Sequence, residues 1–234
     1  FFIGLVMSTT TQKFRRYTCK NHTLQAKAFL NAYWEENQGD AEELWNLVHK
    51  FMEQDHENGK EGCDLDEFKA HVFLESLSET KRVVELREQL RESDLDFNRR
   101  LSFLEFCLFR YKKKVTDFLR RDPPTEDCKP GSMSPAAMKA QEALQAVRSE
   151  ISRIENLKAE LEEKASGSGV KAMQAKNELQ QLLTRDNTDL NRALLTAEAA
   201  LRKAGGGGDI PPGSMWWMNR ELQEMKKYRP QRKQ

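Results

Sequence analysis

Twelve residues, Asp94–Glu105 (DLDFNRRLSFLE), restrict the fold of this chain more than any other stretch. They space oxygen-bearing side chains as a loop must if it is to wrap a calcium ion, which takes six to eight oxygen ligands. Asp94, Asp96 and Asn98 stand at positions 1, 3 and 5, and Arg100 at position 7 offers its backbone carbonyl. Ser102 at position 9 ligates directly or through water, and Glu105 at position 12 supplies two carboxylate oxygens. Such a loop, an EF-hand, works between two amphipathic helices, and an apolar residue at position 8, here Leu101, pairs it with a second loop. Position 6 departs from the rule. The chain turns there with positive φ and normally uses glycine, but the residue is Arg99. A side chain in that conformation costs about 1–2 kcal/mol. Borne by binding, that is about tenfold or more in affinity.

A second helix–loop–helix precedes this one. Leu44, Leu47, Val48, Phe51 and Met52 recur at i, i+3, i+4, i+7 and i+8, an apolar helical stripe preceded by Asp40 as the expected N-cap. A polar loop over 53–64 and a helix from about Leu65 to Leu77 follow. Counting back from Glu67 as position 12 puts His56, Asn58 and Lys60 at positions 1, 3 and 5, a poor ligand set for a hard cation. The first loop (Asp55–Glu67) is therefore expected to pair with the second and stay empty. Ser78 and Glu79 open a further helix carrying Val83, Leu86 and Leu90, and Phe103 to Lys114 form the helix leaving the second loop.

Asp122-Pro123-Pro124 ends this region, because proline cannot continue a helix and extends its predecessor. Ser134-Pro135 then reads as an N-cap with proline at the first helical position. Beyond it Leu144, Val147, Ile151, Ile154 and Leu161 mark one face of a long helix, broken by Ser166-Gly167-Ser168-Gly169. A second long helix carries Met173, Leu179, Leu183, Leu190, Leu194, Ala197 and Leu201, with a break at Arg185-Asp186-Asn187-Thr188. Two long helices joined by a short turn form an antiparallel hairpin. Its charges nearly balance, which suits a coiled-coil spacer or dimeriser as well as a filament-binding rod. Gly205–Gly208 read as a flexible spacer before a tail with Trp216 and Trp217 ahead of Arg220, Lys226, Lys227, Arg229, Arg232 and Lys233. Docking on the protein's own EF-hand groove, on a partner or on a membrane surface all fit that tail.

The expected fold is thus all-α: a paired EF-hand domain, a long antiparallel helical hairpin and a C-terminal helix. The segments are an N-terminal tail (1–24), the paired hands (25–117), a linker (118–134), the hairpin (135–204), a flexible linker (205–214) and an aromatic-basic helix (215–234). The net charge of +1 gives no reason to expect nucleic acid as a partner. The N-terminal FFIGLV run is far shorter than a membrane span and a poor signal peptide, and Met7 is a candidate start. Cys19, Cys63, Cys107 and Cys128 lie far apart and read as reduced cytosolic thiols. No nucleotide-binding, metalloprotease or hydrolase motif occurs, and the four histidines sit near no nucleophile, so no catalytic residue is expected.

FLNAYW (Phe29–Trp34), SFLEF (Ser102–Phe106) followed by RYKKK (Arg110–Lys114), LLTAEAALR (Leu194–Arg202) and WWMNRELQE (Trp216–Glu224) after a glycine run occur in this order. From about residue 28 to the end the chain resembles the calcium-regulated actin-bundling proteins of amoebae. The resemblance implies a cytoplasmic, cytoskeletal protein that carries two EF-hands before a helical actin-binding region. It implies filamentous actin as partner and bundling that is lost when calcium binds. It leaves self-association open. Read from the residues alone, an EF-hand sensor or buffer acting on a target protein, or a passive coiled-coil scaffold, remains an alternative. Against the family pattern, the segment ahead of FLNAYW is short, Arg99 replaces the loop glycine and the first hand is degenerate.

Overall fold

The computed structural model describes residues 2–77, 98–124, 134–184, 187–207 and 210–228, with side chains from residue 10. Over these the chain is helical apart from one two-residue strand pair, the all-α class expected. It divides into two units, Phe1–Cys128 and Lys129–Gln234.

In the first unit α1 (Phe2–Thr18) and α2 (His22–Ala32) precede the short α3 (Trp34–Asn37) and α4 (Ala41–Gln54). Strand β1 (Asp64–Leu65) and α5 (Glu67–Ser76) follow, then β2 (Leu101–Ser102), α6 (Phe103–Arg110) and α7 (Val115–Arg121). The caps are local chemistry: Asn21 Oδ1 accepts from the Leu24 N–H at 2.9 Å to start α2, and Asp66 Oδ1 accepts from the Lys69 N–H at 2.9 Å to start α5. The stripe of α4 buries Leu44, Leu47, Val48 and Phe51. Phe51 meets Phe73 and Phe103 edge-on at 4.8 and 5.3 Å, and Phe73 meets Phe106 at 4.9 Å. This aromatic cluster joins α4, α5 and α6 beneath the two loops.

Three expectations need correction here. The presumed N-terminal tail is helical, and Phe14 and Tyr17 on α1 are buried against Phe118, with ring centroids 6.4 and 4.9 Å away. Phe118 belongs to α7, so the presumed linker begins with a core helix. The Tyr17 hydroxyl donates to Asp122 at 2.9 Å, which ties the two segments further. Asp40 precedes α4 but makes no side-chain cap, because its carboxylate accepts from Asn37 Nδ2 at 2.9 Å instead. The helix expected around Val83, Leu86 and Leu90 lies outside the described residues.

In the second unit α8 (Pro135–Ala165) is followed by α9 (Val170–Thr184), α10 (Thr188–Gly206) and α11 (Pro212–Lys226). Ser134 Oγ accepts from the Ala137 N–H at 3.1 Å with Pro135 at the first position, and Asn187 caps α10 in the same way. Ala137, Leu144, Val147 and Ile151 on α8 share a core with Leu190, Leu194, Ala197 and Leu201 on α10. Farther along α8, Leu161 and Ala165 pack with Ala175, Leu179 and Leu182 of α9. Met173 and Leu183, expected on the buried face, are instead exposed.

Gly205 and Gly206 of the expected flexible spacer are helical. Helix α10 continues through Gly206, and Met218, Leu222 and Met225 of α11 join the α8–α10 core, so the docking surface of the C-terminal helix is its own unit. Arg148 of α8 clamps Glu221 with two parallel bonds of 2.7 Å. Trp217 is 1% exposed and touches Trp216 edge-on.

Candidate functional site: two paired loops

The second loop enters the described residues at Asn98; Asp94 and Asp96 lie outside them. Asn98 Oδ1 accepts from the Arg100 N–H at 2.7 Å, and Arg99 between them adopts φ 59, the left-handed turn expected at position 6. Arg100 does not direct its charge into the loop. Its Nε donates to Asp64 Oδ1 of the first loop at 2.5 Å, which raises the guanidinium's affinity for its proton. Leu101 and Ser102 then pair antiparallel with Leu65 and Asp64.

Ser102 begins α6 with a capping box: the Glu105 N–H donates to Ser102 Oγ, and Glu105 Oε2 accepts from the Ser102 N–H at 2.9 Å. The Ser102 hydroxyl also lies 2.8 Å from Glu105 Oε2, and both side chains are fully buried. Positions 9 and 12 are thus locked to each other at the start of α6. The described residues alone bring together no group of three or more His, Cys, Asp or Glu side chains suited to a metal.

The strand register fixes the first loop, and it differs from the one read by counting carboxylates. Leu65 faces Leu101, and Asp66 caps α5 as Ser102 caps α6. Glu105 is the third residue after Ser102, so its counterpart is Lys69, the third after Asp66, not Glu67. At the other end, Asp55 directly follows α4. The span Asp55–Lys69 is fifteen residues, three longer than a calcium loop.

Sequence reasoning missed the buried residues beneath these loops. Gln25 is fully buried; its Oε1 accepts from the Leu104 N–H at 2.9 Å, and its Nε2, with two hydrogens, lies 2.6–2.9 Å from the carbonyl oxygens of Thr18, Lys20 and Cys63, which share them. One amide thus joins α1, the first loop and the start of α6. His22 Nε2 lies 3.3 Å from Asp55 Oδ2 with both groups buried, and burial holds the imidazole below its ordinary value, so it is the neutral ring that donates. A glutamine and a histidine carry no motif, and the sole sequence signal is polarity inside a helix of mostly buried residues.

The basic RYKKK run is partly committed within its own unit. Arg110 pairs with Glu43 at 2.6 Å, and Lys113 and Arg121 both pair with Glu36 and lie over the Tyr33 ring. Those bonds hold the Glu36 carboxyl below its usual range, while burial pushes the Tyr33 phenol up to about 12. Lys112 and Lys114 are exposed. The described cysteines are free, and burial pushes the Cys63 and Cys107 thiols up.

The described residues thus form two helical units, the first with two loops joined by a short antiparallel strand pair, and comparison with known proteins gives the family. A family model described as F actin bundling C terminal matches residues 100–206. The calcium-regulated actin-bundling protein of Dictyostelium discoideum is 34% identical over 260 residues, 89% of this chain and 85% of the relative. The crystal structure of the 34 kDa F-actin bundling protein from the same organism matches with a TM-score of 0.83 at 31% identity, covering 97% of this chain and 98% of that one. The chain belongs to this family of F-actin-bundling proteins. Among the described residues no helix is long and apolar enough to cross a membrane.

Proposed function

We propose that the protein cross-links actin filaments into bundles, in association with the cytoskeleton, and that calcium bound at Asp94–Glu105 reduces the bundling. The observation that carries this reading is similarity over nearly the whole length of both chains to a relative named for calcium-regulated actin bundling. In this reading the two paired loops are an EF-hand pair within residues 25–117, and residues 135–204 are the actin-binding hairpin.

The residues fit calcium in kind. Asn98, Ser102, Glu105 and the Arg100 carbonyl offer hard oxygen donors, and Asp94 and Asp96 complete the set. The left-handed turn at Arg99 supplies the backbone path, and the Asp64 carboxylate draws the Arg100 guanidinium to the other loop. Glu105 sits in the first turn of α6, so engaging its carboxylate acts directly on the orientation of that helix. Bundling needs two filament contacts per particle, from one chain or from a self-associated pair. Calcium acts through whatever difference in affinity it has for the bundling and non-bundling states.

The test is sedimentation with filamentous actin at low and high speed, with calcium or chelator. The expected result is pelleting of bundles at low speed in chelator, loss of that pellet in calcium, and partial survival of single-filament binding at high speed. Glu105→Gln should bundle in both conditions. A protein that binds calcium and leaves actin untouched would instead be a sensor of other targets.

A further inference from the structure

We propose that the ammonium of Lys69 takes the place of the divalent cation in the first loop, so that this loop is closed by the chain's own charge and takes up no calcium. Lys69 Nζ lies 3.2 Å from Glu57 Oε2, 3.7 Å from Asp66 Oδ2 and 3.9 Å from Asp55 Oδ1. Its side chain is mostly covered, at 19% exposure, and Asp55 is 1% exposed. Only the Glu57 oxygen is within hydrogen-bond distance; Asp66 and Asp55 act on the ammonium as neighbouring charges.

The register explains why it is this lysine. In a loop that holds a cation, the first residue after the entering helix and the third residue after the exit cap both turn oxygens toward the ion. Here those two residues are Asp55 and Lys69, of opposite charge, and they pair directly. The rest of the Asp55 carboxylate is also committed. Oδ2 faces His22 Nε2 at 3.3 Å, and Oδ1 accepts from the Asn58 N–H at 3.4 Å and Nδ2 at 3.3 Å. The backbone closes over it as well: a Cβ at Gly62 would fall 1.7 Å from Asp55 Oδ2. Because the buried imidazole beside it is neutral, Lys69 is the cation that compensates Asp55.

A loop closed in this way holds β1 in register against Leu101 and Ser102 whether or not calcium is present. Calcium sensitivity then belongs to the second loop alone. The inference borrows the calcium-loop reading of Asp94–Glu105 only to compare positions, and its first test is done without calcium.

The experiment uses the full chain. In chelator, Lys69→Met should lower the Tm by about 5 °C or more, and Lys69→Arg should retain most of the wild-type value. Lys69→Glu, which puts a carboxylate where Glu105 stands in the other loop, should regain stability in millimolar calcium. That gain is read in a Glu105→Gln background, where the chain with Lys69 intact should show no calcium-dependent shift. If the double variant does not fold, calorimetry on Lys69→Glu alone should show one calcium equivalent more than wild type. Wild-type stability in Lys69→Met, or calcium uptake by Glu105→Gln with Lys69 intact, overturns the proposal. So does a Lys69→Glu chain that calcium neither stabilises nor binds in addition. A wild type that binds no calcium would sink the reading of the second loop and leave the chelator result on Lys69 standing.

Discussion

Leu222→Ala should release the C-terminal helix from its unit without unfolding that unit. Helix α11 has 15 residues, a length at which an isolated helix is marginal in water, so its order depends on docking. Met218, Leu222 and Met225 do the docking, each buried against the α8–α10 core. Each contributes roughly 1.5–3 kcal/mol in apolar burial. The Arg148–Glu221 clamp adds only about 0.5–1 kcal/mol, since the Arg148 side chain is 42% exposed and its charge is screened by water. Cutting Leu222, at 2% exposure, to alanine removes about 3 kcal/mol of transfer and cavity energy. At 1.4 kcal/mol per decade, that raises the local opening constant by roughly a hundredfold.

Amide hydrogen exchange, followed over residues 212–226 and separately over α9 and α10, measures this directly. The expected result is roughly hundredfold faster exchange in 212–226, with α9 nearly unchanged. Arg148→Ala should give less than a tenfold effect, shrinking further in high salt. If Leu222→Ala accelerates α8, α10 and α11 equally, the tail does not open as a separate unit and the argument fails. If α11 keeps its protection, Leu222 does not hold it.

Phe118→Ala should cost about 3–5 kcal/mol in denaturant unfolding, a loss expected of a core residue and not of a linker; a cost under 1 kcal/mol would return α7 to the linker. Ser102→Ala removes the cap of α6 and should cost about 1–2 kcal/mol by the same measurement, while Ser102→Asp, which keeps a capping acceptor but faces Glu105, should recover little of it. His22 gives a pH dependence. Because burial lowers its folded pKa from 6.5, the unfolded chain binds the proton more readily, so this contribution is present above about pH 6.5 and is lost as pH falls below it. Thermal melts in chelator between pH 7.5 and 5.5 should show the decline, and it should be weaker in His22→Gln.

What could be read in the sequence was what neighbours in sequence decide. The stripe of α4, the Ser134-Pro135 start of α8 and a helix beginning within the expected break, capped by Asn187, depend on residues three or four apart, and the structure has all of them. The left-handed Arg99 followed from a loop motif with its own fixed backbone path. Misreadings came where a distant or competing partner decides. Nothing near Phe14 indicates that Phe118 will cover it, and nothing in RYKKK indicates that Glu36 and Glu43 will take up two of its charges. Asp40 looked like a cap, but Asn37 competes for the same carboxylate. The apolar face of α11 showed that it must be buried, not that α8 and α10 would bury it. Lys69 was missed because the count assumed a twelve-residue loop and looked for carboxylates, when the telling residue was a cation.

The geometry around Gln25 limits how a change in the second loop can spread. Leu104 is the residue before Glu105, and its N–H is satisfied by the buried Gln25 amide. The other end of that amide holds the carbonyls of Thr18, Lys20 and Cys63. If α6 turns as Glu105 changes partners, the Leu104 bond must either break or carry Gln25 with it. Breaking it strands a buried donor, which costs about 1–3 kcal/mol, comparable to the 1–3 kcal/mol coupling typical of an allosteric effector. Carrying Gln25 along moves the junction of α1 and α2 and pulls on Cys63 in the first loop. Cys63 lies between Gly62, packed against the Asp55 carboxylate, and Asp64, bound to Arg100 and paired with Ser102. The junction of α1 and α2 is tied to that same loop, because the His22 N–H donates to the Gly62 carbonyl at 3.1 Å and its ring faces Asp55, so a rotation of α6 transmitted through Gln25 loads the junction and the first loop together.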